Sequence, residues 1–259
     1  MSYDYESFKK DIYALTDINL SLYKERQMKR RIESLMTRKG FSDFQHYYKA
    51  MEADSELLRG FVSYLTINVS EFYRNPKQWE LFENEIIPYL KKNFGSKINI
   101  WSAACSTGDE PYTIAMLLAE QIPVSQIHVF ATDIDEDVLL FAKKGVYPER
   151  SLEHLPKHLL NRHFDKVGNE YRIHQDIKDC VEFRKHNLLE DRYPSGMHII
   201  ICRNVVIYFT DEAKDKVYNS FHQSLCKNGV LFIGSTEQII HSKEIGFEAM
   251  NSFFYKKMM

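Results

Sequence analysis

The 259 residues contain only four cysteines, Cys105, Cys180, Cys202 and Cys226, and no C-x-x-C pair. Widely separated thiols in apolar surroundings exclude a zinc ribbon or a disulfide framework and read as core residues. His154, His158 and His163 lie close together, but Pro156 interrupts them. They read as part of a surface helix, and no metal is expected. No apolar run approaches the ~20 residues of a membrane span. The opening MSYDYESFKKD has neither an apolar signal core nor an Arg-rich transit composition, so a cytoplasmic protein with no direct membrane insertion is expected. Charge of one sign is not in excess: 34 basic residues face 36 acidic ones. With no aromatic-interleaved basic run and no zinc-finger spacing, nucleic acid is not an expected partner. Repeats and low-complexity tracts are missing too. What remains is an ordinary globular composition, 44% hydrophobic and 27% charged, long enough for one large core with a small helical domain.

The stretch from Ile98 to Pro111, INIWSAACSTGDEP, organises the rest. Ile98, Ile100 and Trp101 read as a buried strand, Thr107-Gly108-Asp109 as a turn, and Pro111 as the first residue of a helix. A glycine there lets a polar ligand approach main-chain N–H groups closely. One glycine falls short of G-x-G-x-x-G, and no lysine follows to make a phosphate loop. QIHVFATDID, 126 to 135, is a second strand ending in carboxylates. Asp133 stands near the spacing at which an acid closing the second strand binds ribose hydroxyls, and it also reads as a cap for a helix over 135–143.

Before this stretch the chain is helical to about Asn68. Leu22 to Gly40 concentrates basic residues, with Met28, Ile32, Leu35 and Met36 turned to the core and Arg26, Lys29, Arg30 and Arg38 left outside. Residues 1–75 hold twelve basic and eleven acidic side chains, so this positive charge is local, which suggests an acidic partner or a solvated face. LTINVSEFYRNP (65 to 76) reads as a loop, and a helix follows from Lys77 to Lys92. After the second strand, 145–180 breaks the alternation with LPKHLLNRHF and a hairpin around Val167 to Arg172. Strands are then expected at 181–189 and 198–209, a helix from Thr210 to Gly229, a strand in GVLFIGSTE and a terminal hairpin in FEAMNSFFYKKM. Alternating strands and helices predict an α/β fold with a mostly parallel sheet and ligands at the strands' carboxyl ends, where Gly108, Asp133, Asn187 and Asn204 sit.

In this order TINVSEFYR, WSAACSTGDEPY, ATDID, NLL, CRNVVIYF and GSTE closely resemble the CheR-type chemotaxis receptor methyltransferases over nearly the whole chain. One departure is Asp109, where that family commonly has Glu; Glu110 is retained. The resemblance implies a Rossmann-like S-adenosylmethionine-dependent methyltransferase sheet over 73–259 with an inserted small β-subdomain at about 145–180, preceded by a small all-α domain over 1–72. It implies a cofactor site lined by Asn68, Ser70, Arg74, Glu110, Asp133, Asn187, Leu188, Asn204 and Val205. Asp133 would hold the ribose, Glu110 would face the charged methionyl end, and Asn187 with Leu188 would border the adenine. Arg74 and Tyr208 would stand beside the transferring methyl group. The implied reaction is methyl esterification of receptor glutamates, with S-adenosylhomocysteine as product, and Arg26, Lys29, Arg30 and Arg38 would face the receptor's cytoplasmic methylation helices. In some members the inserted subdomain docks a receptor pentapeptide. The compact loop DKVGNEYR, with Gly168 as its only glycine, predicts that no such tether is required here. A monomer is the default expectation. Two other classes share parts of this pattern: a nicotinamide-dependent oxidoreductase, which needs a second glycine cluster, and a non-catalytic signalling adaptor on the same fold.

Overall fold

The computed structural model describes residues 3–258, and its contacts divide the chain into two compact units. One runs to Asn68 and takes in Tyr208–Lys216; the other holds Val69–Ile207 and the chain from Val217 onward.

Helices form in the first unit because apolar residues recur at three- and four-residue spacing, in three of the four behind an acidic cap. They are α1 (Tyr5–Thr16), α2 (Glu25–Arg38), α3 (Phe44–Ala53) and α4 (Ser55–Leu65). Asp4, Asp43 and Asp54 each accept a first-turn backbone N–H, at 2.9, 2.9 and 2.8 Å. Met28, Ile32, Leu35 and Met36 form the buried stripe of α2. Phe8 is fully buried, with its ring centroid 4.9 Å from Phe44 and 6.1 Å from Phe61. Residues 208–210 join this unit through a short antiparallel bridge: Lys24 N–H donates to the Tyr208 carbonyl, and Thr210 N–H donates to that of Leu22, at 2.9 Å each. The first compact unit thus runs to Asn68, and the expected strand over 198–209 stops early. Asn204 takes a left-handed conformation, and Val206–Tyr208 is a helical turn.

In the second unit α5 (Pro76–Leu81) runs through a π-helical stretch, Phe82–Ile86, into α6 (Ile87–Phe94). Then come β1 (Ile100–Ala103), α7 (Asp109–Ala119), β2 (Val129–Asp133) and α8 (Glu136–Lys144). An inserted antiparallel sheet follows, β3 (Val146–Pro148), β4 (Phe164–Val167) and β5 (Glu170–Ile173), in the order β3-β5-β4, with α9 (Lys157–His163) and α10 (Gln175–Lys178). The main sheet resumes with β6 (Val181–Lys185), β7 (Met197–Cys202), α11 (Asp211–Ser224, of which Val217 onward lies in this unit), β8 (Leu225–Ile233), α12 (Ser242–Ile245), β9 (Phe247–Ala249) and β10 (Phe254–Lys257). Its order is β6-β2-β1-β7-β8-β10-β9, parallel from β6 to β8. β10 is antiparallel to both β8 and β9. The expected helix to Gly229 ends instead at Ser224: Asn228, at φ 63°, bends β8 where its register against β7 shifts, so the Asn-Gly pair is a strand irregularity and not a helix cap.

β2 lies on one side of β1 and β7 on the other, so the winding direction reverses there and opens a crevice at the strands' carboxyl ends. Trp101, fully buried in β1, fixes the neighbourhood by donating its indole N–H to Thr132 Oγ1 at 2.9 Å. α7 begins at Asp109, two residues before the expected Pro111, which still falls in the first turn where a backbone N–H has no helical partner. Asp135, not Asp133, caps α8. Gly108 has φ 88°, and a Cβ there would stand 2.7 Å from Ala142 Cβ and 3.0 Å from Tyr147 Oη. Packing against α8 and β3, together with the positive φ, demands this glycine. Gly108→Ala should therefore destabilise the protein by about 2 to 4 kcal/mol in urea unfolding. A loss under 1 kcal/mol would mean that the turn relaxes freely.

Candidate functional site

The turns after β1 and β7 hold Ala104, Ser106 and Asn204 at φ 59°, 50° and 61°. Non-glycine residues keep such angles only where surrounding contacts over-determine them. Between the two turns lies a cavity of about 40 Å³, walled by Ser70, Arg74, Ser106, Glu110, Arg203 and Asn204 among others.

Glu110 comes from the first turn of α7. One carboxylate oxygen accepts from Ser102 Oγ at 2.8 Å and the other faces Arg203 Nη1 at 3.4 Å. Burial pushes its pKa up, and the guanidinium opposes that shift. Arg203, immediately after β7, has a side chain only 3% exposed. It donates from Nη2 to the Arg74 carbonyl at 2.7 Å and to Gln78 Oε1 at 2.5 Å, while lying 5.0 Å from the ring centroids of Trp79 and Phe232. Asn204 and Val205 donate their backbone N–H groups to Glu237, at 2.9 Å each, and Gly234 N–H adds a third at 2.6 Å. Asp133 closes β2: its Oδ2 accepts from Ser106 N–H at 2.8 Å and its Oδ1 from Asp135 N–H at 3.0 Å. Burial pushes it up to about 6, and does the same to Asp109, which accepts from Thr107 Oγ1 at 2.6 Å.

Of the residues read from the sequence, Ser70, Arg74, Glu110 and Asn204 share the cavity wall. Asp133 meets that wall through its hydrogen bond from Ser106, and Val205 through its neighbour Asn204. Asn187 and Leu188 lie in the loop after β6, where Leu188 is buried and its carbonyl accepts from Tyr193 Oη at 2.7 Å. Neither lines the cavity. Asn68 belongs to the first unit, where its side-chain amide donates to Thr66 Oγ1 at 2.8 Å. Arg203, Gln78, Ser106 and Glu237 were missed. For Arg203 the signal was available: a cation inside the apolar run CRNVVIYF must be paired if buried.

Within the first unit Tyr208 and α2 border a cleft of about 760 Å³ that also takes in Lys24, Arg26, Arg30, Arg31 and Tyr64. Arg31 is committed internally, donating from Nε and Nη2 to the Tyr64 carbonyl at 3.0 and 2.6 Å. Arg38 stands 4.8 Å from the Tyr64 ring. Lys29 points to the other flank of α2, over the Tyr5 ring at 5.3 Å, so the expected set of four does not share one surface. Among the described residues no group of His, Cys, Asp and Glu could hold a metal ion, and no helix is long and apolar enough to cross a membrane.

A reversing parallel sheet, an acid closing β2, acids in the first turn of α7 and a turn without phosphate-binding glycines define a Rossmann-like S-adenosylmethionine-dependent methyltransferase. Residues 68–255 match the family described as CheR methyltransferase, SAM binding domain, and residues 3–66 match CheR methyltransferase, all-alpha domain. The chain belongs to the CheR methyltransferase family. It is similar to proteins named chemotaxis protein methyltransferase from three bacteria. The one from Listeria monocytogenes is 39% identical, over 98% of this chain and 97% of that protein. That from Borreliella burgdorferi is 33% identical over 92% and 89%, and that from Escherichia coli is 32% identical over 89% and 82%. The oxidoreductase and adaptor readings find no support.

Asp109 and Asp133 are protonated more readily folded than unfolded, so the native state binds extra protons between about pH 4 and 6, and stability falls as pH rises through that window. Each group contributes up to roughly 3 kcal/mol of that fall. Asp109→Asn should flatten the curve of unfolding free energy against pH from 4 to 7; parallel curves for variant and parent would disprove the assignment.

Proposed function

We propose that this chain, in the cytoplasm, transfers the methyl group of S-adenosylmethionine to glutamate side chains on the methylation helices of chemotaxis receptors. The products are glutamate methyl esters and S-adenosylhomocysteine. The end-to-end likeness to proteins named chemotaxis protein methyltransferase carries the reading. The cavity's chemistry agrees with it: a carboxylate suits the ammonium end of the cofactor, the Ser106 hydroxyl is buried without a partner in the structure, and acids in the first turn of α7 would repel a dinucleotide's phosphates.

When bound, the cofactor supplies a methyl group activated on a sulfonium. Glu110 is assigned to its charged methionyl end, Asp133 to its ribose hydroxyls, and Asn187 with Leu188 to the adenine. Asn68, Ser70, Asn204 and Val205 complete the lining. An exposed glutamate has a pKa near ~4.3, so the nucleophile is already ionised at neutral pH and no general base is needed. What the protein must provide is alignment, worth up to ~7 to 11 kcal/mol in well-oriented systems. Arg74 is assigned to placing the receptor carboxylate, because a tight ion pair would blunt the nucleophile, and Tyr208 to placement or to shielding the sulfonium. The receptor helices, rich in unmodified carboxylates, are assigned to the cleft of Arg26 and Arg30 with Arg38 at its flank; Lys29 is the weakest of the four. A pentapeptide tether is not required under this reading, and the chain acts as a monomer.

Calorimetry with S-adenosylhomocysteine tests the cofactor site. Binding is expected, and Asp133→Ala should weaken it by ~1 to 3 kcal/mol through unpaired ribose hydroxyls; no binding to the parent protein would remove the whole reading. For the cleft, the double reversal Arg26→Glu with Arg30→Glu should raise the KM for receptor, leave S-adenosylhomocysteine affinity unchanged, and flatten the salt dependence of methylation. Unaltered receptor kinetics at low salt would reduce those arginines to a solvated face.

A further inference from the structure

Arg203 has no role in the cofactor or receptor contacts assigned above, yet its guanidinium is heavily committed. Three of its nitrogens serve partners on separate segments: Nη1 faces Glu110 of α7, Nη2 donates to the Arg74 carbonyl ahead of α5, and Nε and Nη2 both donate to Gln78 of α5. We propose that Arg203 is a positioning residue for methyl transfer: its guanidinium holds the Glu110 carboxylate ionised and aimed into the cavity, and the same group fixes the backbone of Arg74. The inference rests on the cofactor reading given under the proposed function.

A buried ion pair is poor value for stability, since well-packed apolar residues of similar volume usually do as well or better. Trp79 and Phe232 already surround this site and would pack readily against hydrocarbon. That a cation occupies it, with its carboxylate partner on a cavity wall, points to use at the wall. Lysine could not replace it fully, because a point charge cannot span three partners in one plane. Every group that faces Glu110 bears on its charge. Ser102 donates to it, Arg203 attracts it, Glu237 repels it, and the thiols of Cys105 and Cys202 are buried and pushed up, hence neutral. Arg74 acts on Arg203 and lines the same cavity. Arg203 is the cation paired directly with this carboxylate.

The test compares two ligands on the full chain across pH 6 to 8.5: S-adenosylhomocysteine, which carries the ammonium, and 5′-methylthioadenosine, which lacks the amino-acid end. In Arg203→Met, S-adenosylhomocysteine should bind roughly thirtyfold more weakly at pH 7. Its affinity should recover as pH rises, because Glu110 ionises again without its partner. Methylthioadenosine affinity should change less than about threefold, the scale of ordinary indirect effects. Arg203→Lys should restore much of the first loss while turnover stays low, since the Arg74 backbone is no longer held. Equal losses for both ligands, or a loss with no pH dependence, would overturn the proposal in favour of simple packing. If Arg203→Met does not fold, Arg203→Lys is made in a Glu110→Gln background. The proposal then requires no further loss of S-adenosylhomocysteine affinity from the second substitution, and additive losses refute it. Failure of the parent protein to bind either ligand would instead refute the cofactor reading beneath it.

Discussion

A guanidinium taken out of water must find its hydrogen bonds inside the protein, and the region where β1 and β7 diverge is arranged around that demand. Arg203 draws in a backbone carbonyl, an amide side chain and a carboxylate from segments far apart in the sequence. Beside it, Glu237 does the converse, collecting three backbone N–H groups with one carboxylate. The left-handed turns at Ala104, Ser106 and Asn204 are held between these two anchors and Asp133. Because each polar group satisfies several others, the wall is a network whose members are worth more together than one at a time.

The layers of the fold were readable because each rests on a period. The stripe of α2, the apolar strands β1 and β2 and the terminal hairpin follow from spacing alone. Boundaries failed where local chemistry is ambiguous. Asn228-Gly229 has the composition of a helix stop, and only pairing with β7 makes it part of a strand. VVIYF looks like continued strand, yet its backbone turns at Asn204 because Glu237, distant in sequence, captures the N–H groups there. At Gly108 the turn chemistry is legible, but the missing Cβ also makes room for Ala142 and Tyr147, which no inspection of the turn itself could show.

The site was legible only in part for a related reason. Residues whose side chains line the cavity, such as Glu110 and Arg74, carry a polar signature in a short motif. Arg203, Gln78 and Glu237 act through other residues, and their partners are about 30 to 130 positions away. The basic helix also shows why charge counts mislead. The chain as a whole is close to neutral, yet it carries an arginine-rich cleft in one unit, while the cavity in the other sets Glu71 and Glu110 against Arg74 and Arg203. Within α2 the helical turn then decides which cations belong together, separating Lys29 from Arg26 and Arg30.

The main sheet is not closed on itself, and its two outermost strands bear on how the protein behaves in company. β6 carries Glu182, Arg184 and Lys185 along its length, with Arg184 paired to Glu182 and Lys185 3.5 Å from Glu136. β9 is only three residues long, and its Glu248 is paired with Lys256 at 2.7 Å. A strand from another molecule trying to extend the sheet would have to strip water from those charges at one border and would find almost no length to grip at the other. Crowded with its own copies during synthesis, the chain is thereby guarded against edge-to-edge polymerisation.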